Sequence, residues 1–360
     1  MFPTTDDRRL TTDDCYIVLD PVKRTPRNCL LLLSLTAALL LSACGRGRGR
    51  AREIVYVSAP QAILRDQVAA VYNKTGVVKN GEAVQVLERE RRFVRVRTAS
   101  GAEGWIEQRA LATRQVYDGF QKLAQAEQNA PVQAAGVTRN DTNIHLEPGR
   151  DTEHLYQLDQ GSKVSLLKRA AHEKILPGAS ARPVSIEKPG TSKPVMPPME
   201  DWWLIRDAEG HVGWVLARMV DLDAPLEIAQ YAEGQRIVAF FVLDQVPDGD
   251  RKVSQYLVLL TEPKDGLPFD FNQIRVFTWN VRRHRYETAY RERNLNGVLP
   301  ATVSQENFEK EGNLPVFVLR VKDDSGNVLE RKYKLNTPIV RRVYAPGEEP
   351  QRPVTRKKRR

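Results

Sequence analysis

The sequence predicts a mostly β protein: two small barrels of related sequence, followed by a third β-rich domain of unassigned fold. Three observations predict it. Apolar residues alternate at period two through many short runs, one block of such runs recurs further along the chain, and Gly, Pro, Asp and Asn punctuate the runs as turns. With 360 residues, 41% hydrophobic and 7% aromatic, the chain can build several modest cores better than one large one.

Residues 1–43 stand apart from that pattern. The run from Leu30 to Leu41 is apolar except for Ser34 and Thr36, follows Lys23, Arg24 and Arg27, and stops at Ser42-Ala43-Cys44. About twelve helical residues rise roughly 18 Å, well short of the roughly 30 Å of a bilayer core, so a permanent span is disfavoured. A buried helix would keep a polar stripe, which this run lacks. A basic start, a short apolar stretch and small residues before a cleavage point are the features of an export signal. Leu41-Ser42-Ala43-Cys44 resembles the lipobox of bacterial lipoproteins, which implies cleavage before Cys44 and lipid on its thiol. The expected result is a cell-envelope protein held to a membrane on the periplasmic or extracellular side, with 44–52, rich in Gly-Arg, as a basic tether.

The cysteines agree with this reading. They are Cys15, Cys29 and Cys44 only, so a chain beginning at Cys44 has no partner for a disulfide and no thiol nucleophile in its folded region. The formal charge of +10 is concentrated in the tether, in Arg282-Arg283-His284-Arg285 and in Arg356 to Arg360. Residues 345–360 are Pro-rich and then basic, and are expected to be a disordered tail. On an exported chain such clusters suit an anionic surface, with no specific nucleic acid as partner.

The repeat organises the next region. VRVRTASGAEGWIEQRAL, from Val94 to Leu111, aligns without gaps with WLIRDAEGHVGWVLARMV, from Trp203 to Val220, and upstream Gly81–Arg89 aligns with Gly161–Arg169. Arg97, Ala99, Gly101, Gly104, Trp105 and Arg109 recur as Arg206, Ala208, Gly210, Gly213, Trp214 and Arg218. Val84, Val86, Val94 and Val96 give the strand period, and Ser100-Gly101 and Glu209-Gly210 the hairpin turns. The glycine before each tryptophan leaves room for a neighbouring strand, and the indole is expected to cover one end of a small core.

The order apolar-Arg, Gly-x-x-Val-x-Val, aromatic-Val-x-Val, Gly-x-x-Gly-Trp resembles the bacterial Src-homology-3 (SH3) domain of envelope proteins and cell-wall hydrolases. It covers 53–112, with Leu64-Arg65 on the early strand, and 136–221, with Ile144-His145 there and a Pro-rich insertion over 170–201. The first copy departs from the pattern in having no proline after Arg65, and in placing Phe93-Val94 where a tryptophan is frequent. Between the copies, residues 113–135 place Val116, Phe120 and Leu123 at helical spacing, giving a short amphipathic spacer.

Residues 225–344 carry six strand candidates: RIVAFFVLD, SQYLVLLTEP, NQIRVFTWNV, RYETAYRER, PVFVLRVKD and LERKYKLN, with Asp324-Ser325-Gly326-Asn327 as a hairpin turn. Catalytic signals are weak. His145, His154, His172, His211 and His284 form no metal spacing, Ser185-Ile186-Glu187-Lys188 lies in the Pro-rich insertion without partner motifs, and Asp323, Asp324 and Asn327 place Gly326 wrongly for a calcium loop. No catalytic residue, metal or cofactor is therefore assigned.

The resemblance to SH3 domains implies a targeting module, and the peptidase cysteine that often accompanies one is missing. The expectation is a non-enzymatic, lipid-anchored envelope protein, with membrane as one partner and peptidoglycan peptide or an envelope protein as the other. Trp105, Trp202, Trp203, Trp214 and Tyr72 are its candidate stacking surfaces, with core packing the competing role for the Gly-Trp pair. The alternatives are an interaction or scaffold subunit acting through 225–344, and a hydrolase within that domain.

Overall fold

The computed structural model describes residues 53–174 and 197–344. The export signal, Cys44, the tether, most of the Pro-rich insertion with its Ser185 motif, and the basic tail lie outside those residues. The chain is mostly β, as the sequence predicts, and the strands among the described residues form three seven-stranded sheets.

The first sheet holds β1 (Ile54–Val57), β2 (Gln61–Arg65), β3 (Lys74–Lys79), β4 (Ala83–Glu90), β5 (Phe93–Arg97), β6 (Glu103–Glu107) and β7 (Leu111–Ala112), in the order β3-β2-β6-β5-β4-β1-β7. Period-two alternation turns Val55, Val57, Leu64, Val78, Val84, Val94, Val96 and Ile106 inward to a core of their own. The second holds β8 (Ala134–Thr138), β9 (Thr142–His145), β10 (His154–Leu158), β11 (Lys163–Glu173), β12 (Met199–Arg206), β13 (Val212–Leu216) and β14 (Val220–Leu222). Its order, β10-β9-β13-β12-β11-β8-β14, repeats the first strand for strand. The expected turns form at Gly101 and Gly210, whose φ values of +88° and +89° suit glycine.

The glycine of the Gly-Trp motif does what the sequence predicts, and the tryptophan does not. A Cβ on Gly104 would lie 2.7 Å from the Leu64 Cβ and 3.0 Å from the Arg65 carbonyl, and one on Gly213 would strike Ile144 and lie 2.8 Å from the His145 carbonyl. The glycines therefore let β6 and β13 pass closely over β2 and β9 respectively. The tryptophans face away from the barrel cores, on the opposite strand face, because the inward positions belong to Gly104 and Ile106, and to Gly213 and Val215; Trp214 there covers a smaller buried cluster of Leu167, Leu204 and Val212.

Helix α1 (Arg114–Ala126) is capped by Thr113, whose hydroxyl accepts from the Val116 amide. It wedges between the two sheets. Val116 and Phe120 are buried, the Tyr117 ring stacks on Tyr56 of β1 at 4.0 Å, and Phe120 meets Tyr156 of β10 edge-on at 5.3 Å. Asn80, after β3, adds a polar clamp: its amide donates to Ser58 O at 3.1 Å and to Leu155 O at 2.7 Å.

The third sheet is an antiparallel meander in chain order: β15 (Arg236–Asp248), β16 (Arg251–Thr261), β17 (Phe271–Asn280), β18 (Arg285–Phe308), β19 (Gly312–Lys322), β20 (Val328–Asn336) and β21 (Ile339–Val343). All six sequence candidates are strands. The sequence did not mark β21 or the second half of β18, which runs through Gly297 and Pro300. The strand changes partner there, pairing with β17 up to Gly297 and with β19 beyond it, and the Phe271 ring lies against Gly297 where a side chain would stand. At the β19–β20 turn, Asp323 Oδ1 accepts from the amides of Ser325 and Asn327 at 2.9 and 2.8 Å, so that carboxylate builds the expected hairpin.

The cores are not three separate ones. The second sheet, α1 and the third sheet share a continuous cluster running from Val116 and Ile144 through Trp203 and Val220 to Leu257 and Phe317. A buried ion pair crosses the same boundary: Arg169 contacts Asp201 at 2.6 Å and Asp270 at 3.1 Å.

Candidate functional site

A cleft of about 540 Å³ opens between the first sheet and the β9–β10 edge of the second. One wall is Ser58 to Ile63, Arg65, Tyr72, Glu107 and Arg109; the other is Asn143, His154 and Gln157. Each side chain has a structural reason to be there. Arg65 ends β2, and its guanidinium lies 4.2 Å above the Tyr72 ring and 5.3 Å from that of Phe93, while Glu107 of β6 meets it at 3.5 Å. Arg109 follows in a short 3-10 turn, paired with Glu107 at 2.6 Å yet 86% exposed. Ile63 adds an apolar surface that is 44% exposed.

The cleft continues past Glu107 and Arg109 to Arg91 and Arg92 at the β4–β5 turn. Four arginines thus surround one glutamate along this path. Such a surface is suited to an extended ligand carrying anionic groups, with Tyr72 as its flat apolar contact. On the opposite wall the Oε1 atom of Gln157 is buried without a hydrogen-bond partner.

The expected aromatic residues divide. Tyr72 lines the cleft. Trp105 is half-buried on the outer face of β6, in register with Arg65 and Arg95. Trp214, its counterpart, packs with Leu167, Leu204 and Leu123 under the end of α1. Trp202 and Trp203 are corrected: at 2% and 5% exposure neither offers a stacking face. Trp202 is held edge-on against His145 at 5.3 Å, and Trp203 belongs to the core shared with the third sheet. Neighbours on a strand face opposite ways, and β12 is covered on both sides.

His154, Asn143, Gln157 and Glu107 were not marked by the sequence. The available signal was Arg109, which recurs as Arg218 without a core position to explain it.

The remaining histidines show what local geometry does to them. Burial depresses the pKa of His145, and the nearby His154 adds to that, against a hydrogen bond in which Nδ1 of the ring donates to the Thr152 carbonyl. His211 goes the other way, raised chiefly by its hydrogen bond to Asp207 at 2.8 Å, and it stacks on Tyr156 at 3.7 Å. Burial pushes the Tyr156 phenol up to about 12. Asp207, Glu209 and His211 have ligand atoms within 4.8 Å of one another. However, Asp207 Oδ1 already accepts two backbone amides and Oδ2 faces His211, which is the bonding of a hairpin turn.

The two sheets share one strand order, and the stretch from β2 to β7 matches the family model of the bacterial SH3 domain. Residues 61–112 are a bacterial SH3 domain. Its Arg65, Tyr72, Glu107 and Arg109 supply one wall of the cleft, so the SH3 domain faces the second sheet across the site. No curated protein matches the chain in sequence. Among solved structures, an NlpC/P60 family protein from Bacillus cereus ATCC 10987 is similar at 9% identity over 54% of this chain and 65% of that chain, with TM-score 0.22. NlpC2 from Trichomonas vaginalis is similar at 12% identity, covering 78% and 97%, and NlpC1 at 9%, covering 66% and 87%, each with TM-score 0.16. At such scores the likeness carries no functional argument. Among the described residues no helix is long and apolar enough to cross a membrane.

Proposed function

We propose that the chain is a non-enzymatic, lipid-anchored protein of the cell envelope whose SH3 domain and second, SH3-like sheet together bind cell-wall peptide or a protein ligand. The observation that carries this reading is the cleft, where the Arg65–Tyr72 wall of the SH3 domain faces Asn143 and His154 of the second sheet. The clamp by Asn80 and the Tyr56–Tyr117 stack support it, since a site held at both ends loses little entropy on binding. The absence of any cysteine after Cys44 supports the non-enzymatic part.

The test is co-sedimentation of residues 53–344 with purified peptidoglycan. Binding is expected to survive moderate salt, because stacking and short hydrogen bonds are screened less than long-range attraction, which fades over a Debye length of about 8 Å. Tyr72→Ala should weaken it at least about tenfold. Binding that vanishes with salt, or that ignores Tyr72, would overturn the reading. For the anchor, Cys44→Ala should release the protein from membranes and abolish fatty-acid labelling.

A scaffold role through 225–344 is the second reading. It is favoured by Val328, Leu329 and Ile339, which leave 41%, 50% and 50% of their surfaces exposed on β20 and the edge strand β21.

A further inference from the structure

Arg109 and Arg218 are counterparts in the repeat, each in a 3-10 turn directly after a Gly-Trp strand. Backbone bonding fixes the equivalence: Ser58 N donates to Ala110 O, and Arg139 N donates to Met219 O, one residue after Arg109 and Arg218 respectively. Ser58 and Arg109 line the cleft described above. Arg139 and Arg218 line another cavity, of about 520 Å³, at the same end of the second sheet. There the opposite wall comes from the third domain and from the chain segment leading into it.

The second cavity differs chemically from the first. Ala217, Ala229 and Ala232 leave space with their short side chains, and Ile237 and the buried Trp203 complete an apolar interior. The polar groups are nearly all paired. Arg139 holds Asp221 at 2.6 Å, Arg169 holds Asp201 at 2.6 Å, and Arg236 bridges Asp201 and Asp265 at 3.2 and 3.0 Å. Two groups are not. Arg218 is exposed and has no hydrogen bond or ion pair among the described residues, unlike Arg109, which is tied to Glu107. Thr261, 3% exposed and lining the cavity, has a buried hydroxyl with no hydrogen-bond partner. Native buried hydroxyls are nearly always satisfied, so an unpaired one beside a cavity points to a group that is absent.

We infer that this cavity binds a small amphipathic anion: a carboxylate that pairs with Arg218, carried on an apolar body that fills the alanine-lined space and brings a polar atom to Thr261. The volume falls in the range of small-molecule sites, about 300–1,000 Å³. The charge sign follows from the lining, four arginines against three aspartates, with Arg218 forming no direct ion pair and meeting only the longer-range attraction of Glu200. The site is distinct from the cleft and stands or falls without it.

Octanoate tests this by calorimetric titration of residues 53–360, which contain all three sheets and every core described. One saturable site per chain is expected, with octylamine binding at least about tenfold more weakly because it reverses the charge. Arg218→Ala should weaken octanoate at least about tenfold while moving the unfolding midpoint little, since Arg218 makes no direct hydrogen bond or ion pair among the described residues and only a longer-range attraction to Glu200. Ala229→Leu, which fills the space, should abolish binding, and a melt confirms that this variant is folded. No saturable octanoate binding at millimolar concentration, equal binding of octylamine, or indifference to Arg218→Ala in folded protein would each overturn the inference.

Discussion

The side chain of Gln133 grips the backbone of Ala301 at both its polar groups. The Ala301 amide donates to Oε1 at 2.8 Å and the Nε2 group donates to the Ala301 carbonyl at 3.3 Å. The main chain of Gln133 extends the tie, donating to Leu166 O at 2.8 Å and accepting from the Phe240 amide at 3.3 Å. One fully buried residue just before β8 therefore links the second sheet to two strands of the third.

Replacing that residue should be costly. Gln133→Leu keeps most of the volume but leaves the amide and carbonyl of Ala301 buried without partners, and each orphaned group costs about 1–3 kcal/mol. The expected loss is about 2–4 kcal/mol, read as a lower urea midpoint with little change in slope. A change below about 0.5 kcal/mol would mean that water replaces the side chain.

The same tie governs which parts fold alone. The SH3 domain has its own core, from Val55 to Ile106, so a fragment of 53–112 should melt cooperatively. The repeat suggests equal independence for 136–221, and the structure argues otherwise: its core continues into Leu257, Phe271 and Phe317, and Arg169 would lose Asp270. That fragment should give a broad, non-cooperative melt, whereas 113–344 should recover a sharp one.

These two fragments mark how much the sequence disclosed. The strands of each sheet were legible because alternation and turn glycines are local: Val94, Val96 and Gly101 state their roles within a few residues. The docking of the second sheet on the third was not, since it rests on Gln133 meeting Ala301 and Arg169 meeting Asp270, pairs separated by 168 and 101 positions. The candidate site divides in the same way. Tyr72 was marked because aromatic residues are few, but His154 and Asn143 join it only once Asn80 and α1 set the two sheets side by side. Trp202 and Trp203 misled because adjacent strand residues normally include one exposed face, and here a neighbour covers each.

The paired glycines offer a direct test of the crossing. Gly104→Ala would place a methyl group 2.6 Å from Thr75 Oγ1 and 2.7 Å from the Leu64 Cβ, both on strands that cannot retreat from it. Overpacking of this kind costs about 1–3 kcal/mol, so the melting temperature should fall clearly. Gly76→Ala is the contrast on the same sheet, since its new methyl group would find Leu64 no nearer than 3.4 Å and should be tolerated far better.

Two histidines of the second sheet should respond to pH in opposite directions. The Asp207 hydrogen bond raises the His211 pKa in the fold above its usual 6.5. The stabilisation from the protonated ring is therefore complete below about pH 6.5 and fades as pH rises through the folded value. Burial instead lowers the His145 pKa, so its contribution is complete above about pH 6.5 and is lost as pH falls through the folded value. Urea unfolding at about pH 5.5 and about pH 8.5 separates the two. His211→Gln should lose more stability, relative to the parent, at the lower pH. His145→Gln should compare with the parent more favourably at the lower pH than at the higher, because it removes a ring that resists protonation. If both variants shift equally at the two pH values, the Asp207 contact does not hold a proton on His211 and the burial of His145 does not exclude one.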